Sequence, residues 1–264
     1  MFPFFDFFGR SLPLYGIMGV VGLFAAAAVA HLRAKKQGLV FMDMALGVLI
    51  LGVGLVVGGS LMFAIVQMPI IWENRALFWD APLHFLSRVF GGMVFYGGLF
   101  GALIALPIYS KVIKRDIPTI LGLLVPVLPL AHGIMRIGCF LAGCCYGIPH
   151  ETLGIAFTNA PSAPNNIPLL PVQLIEAAAN FLIFAALWLY SKKPRNPLVL
   201  LAIYGLSYAT IRFALEFLRG DAARGFVLGL STSQFISILI ILASITTLVL
   251  IHRKQKKAEK STLL

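Results

Sequence analysis

Seven apolar stretches of about 20 residues each decide what this chain can fold into. They cover residues 12–32, 45–67, 85–109, 117–141, 172–190, 198–218 and 232–251. About 20 residues of helix cross a hydrocarbon core of about 30 Å. No water reaches a free N–H or C=O in that core, and a helix satisfies its own. The expected fold is all-α: a polytopic integral membrane bundle of about seven transmembrane helices, in a single membrane domain over residues 1–264. Charge is scarce to match, at 12% of residues against about a quarter in soluble domains.

The connections set the orientation. Arg33, Lys35 and Lys36 follow the first run, and Lys111, Lys114 and Arg115 the third. Lys192, Lys193 and Arg195 follow the fifth; Arg253, Lys254, Lys256, Lys257 and Lys260 follow the seventh. Fourteen of the 21 Lys and Arg residues thus fall on one side. Cytoplasmic loops carry such an excess, so the expected N-terminus lies outside and the C-terminus in the cytoplasm. The net charge of +11 is therefore a topology signal, and no nucleic-acid partner is expected. Ala28-Val29-Ala30 looks like a signal-peptide cleavage site, but residues 1–8 are aromatic and acidic and the basic residues come after the apolar run. A retained first helix is the expectation. Two outer-face segments, 68–84 and 143–171, are longer than tight turns and read as interfacial or periplasmic elements.

The remaining basic residues are all arginines: Arg10, Arg75, Arg88, Arg136, Arg212, Arg219 and Arg224. An arginine inside a membrane helix costs at least about 2.5–3.5 kcal/mol on insertion scales, which makes it a functional candidate. Arg88, Arg136, Arg212 and Arg219 all fall in the outer half of the bilayer under this orientation. Arg212, Glu216 and Arg219 are spaced i, i+4 and i+7, on one helical face. Glu216 can hold either arginine, and the strip suits an anionic headgroup because guanidinium grips phosphate bidentately. An architectural ion-pair strip is the alternative. His132 and Arg136 are also i, i+4. Gln173 and Glu176 open the fifth helix, with Glu176 available as a counter-ion. Four glycines, Gly91, Gly92, Gly97 and Gly98, interrupt the third run around Tyr96, whose hydroxyl needs a polar partner.

Cys139, Cys144 and Cys145 lack the spaced pairs of a structural zinc site. They read as small packing residues, with a disulfide from Cys139 to one of the pair as the alternative.

Several segments together resemble the prolipoprotein diacylglyceryl transferase family. Leu14-Tyr15-Gly16 resembles its opening tyrosine-glycine. The stretch Gly91-Gly92-Met93-Val94-Phe95-Tyr96-Gly97-Gly98 is similar to the family's Gly-Gly-Met-Ser-Phe-His-Gly-Gly. Met135-Arg136-Ile137-Gly138-Cys139-Phe140, ending at Gly147, resembles its Gly-Arg-x-Gly-Asn-Phe…Gly signature. Pro171-Val172-Gln173-Leu174-Ile175-Glu176 resembles Pro-x-Gln-Leu-Tyr-Glu. Arg212-Phe213-Ala214-Leu215-Glu216-Phe217-Leu218-Arg219 matches Arg-Phe-x-x-Glu-Phe-x-Arg, with Ser233-Gln234 after it. The blocks run in family order from the first helix to the last.

The resemblance implies transfer of the diacylglyceryl group of phosphatidylglycerol to the lipobox cysteine of a prolipoprotein, with no metal or cofactor. Its partners would be phosphatidylglycerol, prolipoprotein signal peptides and membrane lipids, in the bacterial inner membrane with the site facing the outer leaflet. Catalytic roles would fall to Arg136, Arg212, Tyr96, His132 and Glu216. Substrate contacts would come from Tyr15, Arg88, Arg136, Cys139, Gln173, Glu176 and Arg219. Tyr96 stands where the family has histidine, which leaves His132 as the substitute base. Met135, Cys139, Ala142 and Cys144 replace the signature's Gly, Asn, Asn and Glu. A related transferase with another acceptor, or a transporter or binding protein for an anionic lipid, are the other readings.

Overall fold

The computed structural model describes residues 3–7, 10–221 and 226–262; Arg224 lies outside them. Among the described residues, seven helices are long and apolar enough to cross a membrane: Leu14–Gln37, Phe41–Val66, Tyr96–Ile113, Ile117–Leu141, Val172–Tyr190, Pro197–Glu216 and Thr232–Ala258. Between and before them the chain adds short elements. Strands β1 (Phe4–Phe7) and β2 (Arg10–Pro13) pair antiparallel ahead of α1 (Leu14–Ala34) and α2 (Phe41–Val66). The segment 68–84 holds α3 (Met68–Glu73), α4 (Leu77–Asp80) and the start of α5 (Pro82–Val89).

The third apolar run is not one helix. Helix α5 stops at Val89, the chain is non-helical at 90–94, and α6 (Phe95–Ile113) begins afterwards. Adjacent Gly91 and Gly92 lower helix propensity by about 1 kcal/mol each. The freed backbone is not left unsatisfied, because Val94 N donates to Gly59 O at 3.1 Å.

The fourth run is continuous across the bilayer but changes pitch. Helix α7 (Ile117–Leu124) passes through a 3-10 turn at Val125–Val127 into α8 (Leu128–Leu141). Pro126 and Pro129 lie there, each removing a backbone donor. Helix α9 (Val172–Tyr190), α10 (Pro197–Glu216) and α11 (Thr232–Thr262) follow, with the antiparallel pairs of two-residue strands β3–β4 (Ile155–Ala156, Pro168–Leu169) and β5–β6 (Phe226–Val227, Leu230–Ser231) in the connections after α8 and α10.

The chain divides into two compact units, 31–120 and the remainder (1–30 with 121–264). In the smaller unit, α2 and α6 approach backbone to backbone. A β-carbon at Gly54 would lie 2.6 Å from Gly101 O, and one at Gly58 would lie 2.8 Å from Gly101 Cα. Small residues at such a seam permit the contact. Tyr109 donates across the pair to Asp43 O at 3.0 Å.

The larger unit is packed in the same currency. A β-carbon at Gly138 of α8 would lie 2.7 Å from Met18 of α1, and one at Gly133 would lie 2.6 Å from Phe181 of α9. Its apolar core gathers Val125, Ile183, Leu187 and Leu200. The segment 143–171 carries its own small core of Phe157, Ala160, Ala163 and Leu169 against Phe140 and Tyr146. Its two ends are laced together: Gly147 N to Leu170 O at 3.0 Å, Leu170 N to Ile148 O at 2.9 Å, and His150 N to Pro168 O at 3.0 Å.

Candidate active site

Three polar stripes meet inside the larger unit. On α8, His132, Arg136 and Cys139 repeat at i, i+4 and i+7; on α9, Gln173, Glu176 and Asn180 do so at i, i+3 and i+7; on α10, Tyr204, Tyr208, Arg212 and Glu216 are each four apart. Such spacing places each set on one helical face. Gln173 and Glu176 are only 1% exposed and Arg212 6%, although polar groups at these depths are stable only when paired.

Glu176 is the hub. Its Oε1 lies 2.9 Å from Arg136 Nη2 and 3.9 Å from His132 Nε2, and it accepts a 2.8 Å hydrogen bond from the Tyr208 hydroxyl. Arg212 is also within its electrostatic reach. His132 Nδ1 is 3.1 Å from the Tyr204 hydroxyl, and its ring packs on Tyr208 with centroids 4.6 Å apart. Asn180 donates to Glu176 O at 2.8 Å, and Gln173 Nε2 donates to Cys144 O at 2.7 Å.

Arg212 donates from Nη2 to Ser233 Oγ, on the first turn of α11, at 2.8 Å. Its Nη1 is 2.6 Å from Glu216 Oε2, a charge contact without hydrogen-bond alignment, so both atoms keep bonding capacity in reserve. Arg136 Nε and Gln173 Oε1 are likewise buried without a hydrogen-bond partner among the described residues.

Arg219 departs from the expected strip. Helix α10 ends at Glu216, so the i, i+7 register with Arg212 is lost. Glu216 holds Arg212, and Arg219 is clamped bidentately by Asp221, Nε to Oδ1 at 2.8 Å and Nη2 to Oδ2 at 2.7 Å. The backbone explains the break. Ile148 N takes Leu218 O at 2.9 Å and Gly220 N takes Tyr146 O at 3.0 Å, which draws the chain off the helix axis. Arg219 nevertheless stays within electrostatic reach of Arg212.

The other expected residues distribute as follows. Tyr15, 52% exposed, lines a pocket of about 220 Å³ together with Pro3, Phe4, Ala142, Cys144 and Ser162. Arg88, exposed on α5, and Tyr96, on the first turn of α6, belong to the smaller unit. The three cysteines form no disulfide among the described residues and are partly buried. Hydrogen bonds from the Cys139 and Cys144 thiols, followed by the charges of Arg219 and Arg136, push the Cys145 thiol well below its usual range. Cys144 is pushed up by its bonds to the other two and by burial.

Tyr204, Tyr208, Asn180 and Asp221 escaped the sequence reading. For the first three the signal was present: extending the stripes of α9 and α10 by one or two turns reaches them. Asp221 had no periodic signal, because it follows the end of the helix.

The family model described as prolipoprotein diacylglyceryl transferase matches residues 4–250. A phosphatidylglycerol–prolipoprotein diacylglyceryl transferase of Clostridium tetani is 39% identical over 244 residues, 91% of this chain and 94% of that protein. A second enzyme of that name, from Clostridium perfringens, is 32% identical over 242 residues, 91% of each chain. One from Dehalococcoides mccartyi is 30% identical over 250 residues, 94% of this chain and 92% of its own.

Proposed function

Since this chain belongs to the prolipoprotein diacylglyceryl transferase family, we propose that it performs the first step of bacterial lipoprotein maturation. The lipobox cysteine sulfur of a prolipoprotein attacks the diacylglyceryl carbon that bears the phosphate in phosphatidylglycerol. A C–S bond forms, the C–O bond to phosphate breaks, and glycerol-1-phosphate leaves with the electron pair. The thiol proton passes to a base. The thiolate is the nucleophile, and charge grows on the departing phosphate, so the site must supply a proton acceptor and fixed cations.

The observation that carries this reading is the reserve at Arg136 Nε and Arg212 Nη1. Each arginine is anchored by one carboxylate, Glu176 or Glu216, yet keeps a buried nitrogen for a further acceptor. A phosphate oxygen supplies it. Glu216 positions Arg212, and Glu176 with Tyr208 positions Arg136. Arg219, fixed by Asp221, adds charge from the helix exit. His132 is the base in this arrangement: its imidazole gains a proton while Glu176, 3.9 Å away, offsets the new charge. Tyr15 and Gln173 border the acyl and peptide side, and Cys139 lines it one turn from Arg136. Tyr96 is a catalytic candidate on its Gly-Gly-Met-Val-Phe-Tyr-Gly-Gly block alone, and Arg88 a substrate-contact candidate on its place at the start of the third apolar run alone. The basic clusters favour a cytoplasmic C-terminus and a site opening to the outer leaflet of the inner membrane.

Complementation tests the reading. The chain is expressed in cells depleted of their own transferase, and a reporter lipoprotein is assayed for thioether-linked diacylglycerol. Wild type restores the modification, while Arg136→Ala and Arg212→Ala abolish it. Undiminished transfer in both variants refutes the phosphate site, and full transfer by His132→Ala removes His132 as base.

A further inference from the structure

The sequence spacing of the cysteines gives no metal signature, but the fold brings them together. Cys139 lies on the last turn of α8, and Cys144 and Cys145 on the connection that follows. Left-handed backbone at Gly143 (φ 66°) and Cys145 (φ 61°) turns the chain back toward the helix. The three Sγ atoms lie within 4.8 Å of one another. With metal–sulfur bonds of about 2.3 Å, three sulfurs spaced evenly around one ion sit about 4.0 Å apart. Rotamer adjustments of well under an ångström per residue close that gap.

The chemistry of the donor set narrows the ion. The group is all sulfur, and among the described residues no histidine or carboxylate joins it. Soft thiolates select soft ions such as Cu(I). Three sulfurs complete a three-coordinate Cu(I), whereas a structural zinc site takes four ligands. Three thiolates around a monovalent ion leave negative charge, and Arg219 and Arg136 both act on Cys145. Cys144 also lines the 220 Å³ pocket beside Tyr15 and Ser162, so the cluster has a way in.

We propose that Cys139, Cys144 and Cys145 bind one soft, thiophilic metal ion, Cu(I) in trigonal sulfur coordination. Binding exchanges up to three thiol protons for the ion, with no change of oxidation state. It fastens the last turn of α8 to the connection whose Cys144 carbonyl accepts the Gln173 hydrogen bond. Cys139 also borders the proposed substrate site, but occupancy is measured on the purified chain without substrate, so its outcome is distinguishable from that of the transferase reading.

The full chain, reduced and kept anaerobic in detergent, is titrated with Cu(I) from its acetonitrile complex against a chromogenic Cu(I) chelator. One equivalent should be retained, with a thiolate-to-copper ultraviolet band and loss of all three thiols from reaction with a thiol reagent. X-ray absorption should count three sulfur neighbours. Cys139→Ser, Cys144→Ser and Cys145→Ser should each weaken retention at least tenfold. Failure of the wild type to retain Cu(I), a count of two sulfurs, tighter holding of Zn²⁺, or unchanged retention in any single variant overturns the proposal. The wild-type measurements decide the matter even if a variant fails to fold.

Discussion

Glu176→Gln isolates the hub of the buried network. The substitution keeps the volume of the side chain and an oxygen to accept the 2.8 Å Tyr208 hydrogen bond, but removes the charge 2.9 Å from Arg136 Nη2. Two unit charges about 4 Å apart attract by about 4 kcal/mol at an effective dielectric of 20. Breaking a buried pair by removing one partner costs about 3–5 kcal/mol, because the other charge is left uncompensated. The retained Tyr208 bond, about 1 kcal/mol net, places the expected loss near the bottom of that range. A loss of about 3 kcal/mol is a roughly 150-fold fall in the ratio of folded to unfolded protein. Reversible unfolding in mixed micelles with increasing SDS measures it. Arg136→Met in the same background removes the stranded cation and should recover at least about 2 kcal/mol in a double-mutant cycle. A loss below about 1 kcal/mol with no coupling to Arg136→Met would mean that Glu176 is not the counter-ion of Arg136.

Two further outcomes follow from the same geometry. Ser233→Ala removes a hydrogen bond to a buried guanidinium, a contact of about 1.5–3 kcal/mol, so kcat/KM for diacylglyceryl transfer should fall by about tenfold or more; unchanged kinetics would detach Arg212 from the reaction. In the smaller unit, Gly101→Leu forces a side chain into the backbone of α2 and should cost about 1–3 kcal/mol. Gly52→Leu, where a β-carbon meets nothing within 4 Å, should stay within about 0.5 kcal/mol in the same SDS titration.

Much of this arrangement is legible in the amino-acid sequence. Run lengths alone gave the seven spans, because the membrane sets one length for all of them. Arg136 and Arg212 stood out because an arginine among apolar residues is expensive enough to need a reason. Local periodicity also found the Arg212–Glu216 pair, which lies within a single helix. It failed at Arg219, since the i+3 rule holds only while the helix continues, and α10 stops at Glu216. The Arg219–Asp221 clamp depends on a turn fixed by Tyr146 and Ile148, more than 60 residues away in sequence. The third run counts as one span by length and hydropathy despite Ser87, Arg88 and the glycines that interrupt it, because hydropathy does not register the backbone entropy of Gly91 and Gly92. The cysteine cluster was hidden for a related reason: its closure depends on two left-handed residues, not on spacing.

The seam between α2 and α6 has a thermal consequence. Lipid tails are as apolar as the side chains they touch, so two helices in a bilayer gain little by leaving them. What holds Gly54 and Gly58 against Gly101 is contact between dense backbones, not the release of ordered water. Burial from water carries a large heat-capacity change and weakens on cooling. This seam lacks that signature, so cold should leave it intact where it loosens the cores of water-soluble domains.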